Sequence, residues 1–110
     1  MRIAVGQLPA VVQEYFEAVL MPAANQTGGG LRAFGVGVAG GLIVRGVPKM
    51  VEEYVPVLKA LGLMDTEGML LVDLLYEEAS KAITKAPVVV FGYRVEQTDL
   101  DAIRTIAHRH

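Results

Sequence analysis

The 110 residues make one domain's worth of chain, and 53% of them are hydrophobic with no Trp, so the core is built from small pieces. A formal charge of −2 leaves no surplus of cations to neutralise phosphates, which argues against a general nucleic-acid binder. With no Cys, disulfides, thiolate chemistry and Cys-ligated zinc are excluded, and a cytoplasmic location is expected.

Met1 to Gly6 carries one positive charge and too short an apolar run for a secretory signal, so no leader is expected. Residues 1–8 and 108–110 are read as frayed ends of a single domain spanning 1–110. The first predicted helix runs from about Pro9 to Ala24. Proline's missing N–H costs nothing in a first turn, and Val11, Val12, Tyr15, Phe16, Val19 and Leu20 form an apolar stripe. Pro22 is expected to end or kink it, and 25–30 reads as a flexible loop.

The stretch from Leu31 to Arg45 has almost no polar residue and carries Gly35, Gly37, Gly40 and Gly41. Each glycine costs a helix about 1 kcal/mol relative to alanine, and Val36, Val38, Ile43 and Val44 favour strand. A buried helix is nevertheless preferred. Phe34, Gly37, Gly41 and Arg45 share one face, and Gly37 with Gly41 would let another backbone approach closely. The twelve residues between Arg32 and Arg45 are too few to span a bilayer, which takes about 20.

Gly46 is expected to break the chain and Pro48 to start a third helix to Leu61, amphipathic and bent at Pro56, with Gly62 ending it. The second and third helices are expected to pack as a hairpin. Asp65 to Gly68 reads as a turn and Met69 to Val72 as a short apolar run. Asp73 reads as the cap of a helix to about Lys85, with Leu75, Ala79, Ala82 and Ile83 inward. Val88 to Phe91 reads as a buried strand, which Tyr93 to Val95 extends or returns. Thr98 and Asp101 resemble a capping box for a last helix with Leu100, Ile103, Ile106 and Ala107 inside. The fold class is therefore α+β, mainly α: an N-terminal helical half of three helices and a small C-terminal βαβα element around a single core.

The segment Ala60-Leu61-Gly62-Leu63-Met64-Asp65-Thr66-Glu67-Gly68, then Val72-Asp73-Leu74-Leu75-Tyr76, then Phe91-Gly92-Tyr93-Arg94-Val95 and Thr98-Asp99-Leu100-Asp101-Ala102-Ile103, resembles a set of small bacterial and prophage-associated proteins. The resemblance runs in order over roughly residues 10 to 107, on turn and capping signals. It implies a phage or mobile-element setting and no catalytic residues, so none carries over.

Candidate chemistry is sparse. Gly35-Val36-Gly37-Val38-Ala39-Gly40 matches GxGxxG, but a dinucleotide site needs a strand before it and an acid about 20 residues on, and Glu52 and Glu53 come too early. Asp65, Glu67 and Asp73 fail the calcium-loop spacing, with Met69 at the fifth position and Gly68 at the fourth. His108 and His110 lie on the expected tail. The adjacent pairs Glu52-Glu53 and Glu77-Glu78 diverge around a helix instead of facing across a gap. Arg32, Arg45 and Lys49 are three cations with no acid between Ala18 and Val51, read as solvating the ends of an apolar helix.

Elimination leaves a non-catalytic structural or protein-interaction module that self-associates or binds a protein partner, with Phe34, Gly37, Gly41 and Arg45 as the interaction residues. No catalytic, cofactor or metal residue is assigned, and no membrane span is expected. The alternative is a small-ligand binder or minor enzyme with its pocket near Gly28–Gly30 or the edge from Tyr93 to Thr98. A third reading, a membrane-active phage protein, requires residues 31–47 to leave the core.

Overall fold

A computed structural model describes residues 1–26, 30–90 and 92–110, and only the backbone of 31–33. Leu8 to Gln26 winds as one rod. It opens as helix α1 (Leu8–Tyr15), widens into a π-helical turn at Phe16–Leu20 and closes as α2 (Met21–Gln26). The wide turn lies just ahead of Pro22, which cannot donate to the carbonyl four residues back. It also shifts the phase of the stripe. Val19, expected inward, is exposed, whereas Leu20 and Ala24 are buried.

Helix α3 (Gly30–Glu53) follows. The helical reading of 31–45 holds, but the expected break at Gly46 and Pro48 does not occur, and there is no hairpin. The half-buried residues Val36, Ile43, Val44, Val47 and Val51 fall on one stripe whose phase is unbroken across Pro48. Packing along that stripe against α1 and α2 offsets the proline's lost hydrogen bond. The interruption comes at Tyr54, just before α4 (Val55–Ala60), where Pro56 sits in the first turn. Tyr54 N–H still donates to Met50 (3.2 Å) and Leu58 N–H to Tyr54 (2.8 Å), so the ladder resumes in register past the proline. Gly62, at φ 76°, then reverses the chain as expected of a glycine beyond a helix end.

Residues 1–8 are not frayed. Strand β1 (Arg2–Ala4) pairs antiparallel with β2 (Met69–Leu71) in the register Ile3 to Leu70, and Val72 N–H donates to the Met1 carbonyl at 3.0 Å. Ile3 is buried, a signal that three alternating residues are too short to give in sequence. β2 runs straight into α5 (Val72–Lys85), so Asp73 lies inside the first turn and does not cap it. A hairpin of β3 (Val89–Val90) and β4 (Tyr93–Arg94) turns through Gly92, with Val89 exposed where a buried strand was expected; Phe91 lies outside the described residues. The last helix is α6 (Gln97–Ala107).

The architecture is α+β, mainly α, with two small antiparallel sheets. α1 lies between α3 and α6, and α5 packs on α6. The core gathers Ile3, Val11, Phe16, Leu70, Val72 and Ile106 from both halves of the chain. The radius of gyration is 14.1 Å, against about 13 Å for a compact chain of this size. Residues 30–60 at 1.5 Å each span about 46 Å, which matches the 45 Å long axis of the molecule.

Candidate functional site

The four interaction residues named from sequence do share one face of α3, and it points to solvent. Phe34 is 69% exposed, Val38 and Leu42 each 50%, and Gly37, Gly41 and Arg45 are exposed beside them. Both glycines border a groove with Gln13, Glu17 and Met21, but a Cβ added at Gly37 or Gly41 meets nothing within 4 Å. The close approach belongs instead to Gly40, whose missing side chain leaves room for the Phe16 ring. The same strip continues through Arg45, Lys49, Glu52 and Glu53, while Val57 in α4 and Leu61 just beyond it are exposed further round. The strip is thus apolar at its Phe34 end and charged beyond.

Gly35, Gly37 and Gly40 lie inside one helix, so the GxGxxG match has no strand before it and no loop to cradle a phosphate. Asp65 spends its carboxylate locally. Its Oδ1 accepts the N–H groups of Glu67 and Met69, both at 2.9 Å, and its Oδ2 accepts from Arg2 at 2.7 Å. The two backbone donors, Met69 first, and the Arg2 charge hold this carboxyl below the usual range. Among the described residues no three His, Asp or Glu side chains gather to hold a metal ion. His108 and His110 are tied down, with ring nitrogens 2.8 Å from Asp73 and Glu14 respectively.

One buried polar cluster went unseen in the sequence. Asp99, 7% exposed, accepts from the Glu96 N–H at 2.8 Å, from the Tyr15 hydroxyl, and from the Tyr93 hydroxyl at 3.4 Å. The capping carboxylate of α6 is therefore Asp99 acting on Glu96, two residues ahead of the expected Thr98 and Asp101. Burial, followed by the Asp99 charge, pushes the Tyr15 phenol well above its ordinary range, and Tyr93 moves the same way. All three side chains satisfy one another, and the cluster locks α1, the hairpin and α6 together.

The clearest cavity lies among β1, α1, α5 and α6. Its volume is about 150 Å³, and it is lined almost wholly by apolar side chains, with Ile3, Val11, Leu70, Val72 and Ala107 buried at its floor. It is not at either place expected from sequence: Gly28 lies outside the described residues, and neither Gly30 nor residues 93–98 line it. Tyr76 and the exposed Arg104 form its rim, the guanidinium 4.1 Å over the Tyr76 ring. Comparison with family models, curated proteins and solved structures finds no match to this chain.

Proposed function

We propose that the chain is a non-catalytic interaction module that pairs with a second copy of itself through the exposed strip of α3. The observation that carries this reading is the apolar face of Phe34, Val38 and Leu42 standing clear of the core on a 24-residue helix. Exposed apolar surface of this kind, rimmed by charge, marks contact sites. The choice of a second copy rests on self-complementarity. An antiparallel partner sets Arg45 and Lys49 of each chain against Glu52 and Glu53 of the other. Gly37 and Gly41 leave hollows that side chains of the partner can enter.

A membrane reading has one observation in its favour: Phe34–Glu53 is long and apolar enough to cross a bilayer by length and composition. The uncharged run inside it, residues 34–44, spans only about 17 Å of a core about 30 Å thick. The charges that follow lie on the same exposed strip, which favours protein over lipid. A phage or host protein is the other candidate occupant, in keeping with the prophage resemblance.

Light scattering after size exclusion over a range of concentrations tests the proposal. The expected result is a dimer mass that Leu42→Glu and Gly41→Leu each convert to monomer with unchanged circular dichroism. Gly41 has room for a side chain in the monomer, so this variant reads assembly apart from folding. A wild-type chain that stays monomeric throughout, or that sediments with lipid vesicles instead, overturns it.

A further inference from the structure

We propose that the cavity among β1, α1, α5 and α6 binds a small organic monocarboxylate, its apolar tail inside and its carboxylate on Arg104. No residue of α3 lines this cavity, so the inference stands apart from the pairing proposed above. A void of about 150 Å³ with an aliphatic lining is unattractive to water and holds about one benzene ring or a chain of five to six carbons. An apolar tail is thus what the interior accepts.

The charge at the rim decides the head group. Two acids stand nearby, and both are occupied. Asp73 holds His108 at 2.8 Å and the N-terminal ammonium at 3.6 Å. Asp101 accepts from the Tyr76 hydroxyl at 2.5 Å and from Gln97 at 3.1 Å, and these bonds first, with the Arg104 charge a lesser contributor, hold its carboxyl low. Arg104 forms no ion pair with a carboxylate among the described residues, and its guanidinium carbon lies 4.1 Å from the centre of the Tyr76 ring. It also borders an open basin with Asp73, Thr105 and His108, so the cation stands where the apolar cavity meets water. A planar guanidinium at the mouth of an apolar pocket selects a carboxylate through paired charge-assisted hydrogen bonds.

The test is titration of the isotopically labelled full chain with hexanoate, 1-hexanol and acetate, followed by amide shifts. Hexanoate is expected to shift the amides of Leu70, Leu75, Ala79 and Ile103 saturably, and acetate to leave them in place. Arg104→Gln should weaken hexanoate about tenfold and leave hexanol within about twofold. Ala79→Leu, which fills the cavity from α5 with a good helix former, should abolish both. No saturable shift with hexanoate overturns the proposal, as does unchanged hexanoate affinity in Arg104→Gln. A folded Ala79→Leu chain that binds like wild type overturns it too, and should that variant fail to fold, Arg104→Gln decides alone.

Discussion

Tyr15 donates its hydroxyl to a carboxylate whose other oxygen caps a helix, so one buried carboxylate joins the first helix to the last. Tyr15→Phe removes one charge-assisted bond and leaves Asp99 with Glu96 and Tyr93. It should cost about 1.5–3 kcal/mol of stability at neutral pH. The same contact sets an alkaline limit. The phenol is raised in the folded chain, by burial first and by Asp99 second, so the folded state keeps a proton that the unfolded chain releases near pH 10. Its stabilising effect is complete below about pH 10 and is lost as pH rises beyond. Urea unfolding between pH 7 and 11 should show a steep alkaline decline in the wild type and a shallower one in Tyr15→Phe, with the raised Tyr93 keeping a remainder. Equal slopes in the two chains would count against the cluster's role. None of this was legible from sequence. Tyr15 and Asp99 lie 84 residues apart, and each has a sufficient local reading, an apolar-stripe position for one and a first-turn acid for the other.

At the scale of elements, α3 was read correctly as helix and wrongly as to where its glycines matter. The sequence placed Phe34, Gly37, Gly41 and Arg45 on one face, and they share it. It could not say that this face looks outward, because apolar and glycine residues surround the helix at 35–44 and no polar stripe marks solvent. Its continuation past Pro48 is legible in the phase of Val44, Val47 and Val51, which runs on across the break expected at Gly46. The glycines now separate two effects. Gly40→Ala drives a methyl into the Phe16 ring and must displace a buried aromatic, so overpacking should cost about 1–3 kcal/mol. Gly41→Ala meets open space and should gain up to about 1 kcal/mol from helix propensity. Thermal unfolding of the two variants at low concentration, where assembly does not contribute, checks this. Loss of stability in both to the same degree would mean that the Phe16 contact is not what separates them.

For the molecule as a whole, the ends of the chain meet at one place. The N-terminal ammonium and His108 share the carboxylate of Asp73, while Ile3 enters the core beside Leu70 and Val11 and forms part of the cavity floor. The reading of 1–8 as frayed failed because a three-residue strand has no period to recognise; its stability comes from a partner nearly 70 residues on. Burial at Ile3 is therefore a global contact, and Ile3→Ala should cost about 2–5 kcal/mol. Val89 provides the contrast. It is as apolar, but it sits exposed on a hairpin, and Val89→Ala should move stability by no more than about 0.5 kcal/mol. Chemical denaturation of the two variants measures the difference. Similar losses at both positions would mean that β1 adds no more to the core than a surface hairpin does. A loss confined to Ile3 would make the first strand the element that closes the domain and shapes the cavity beneath Arg104.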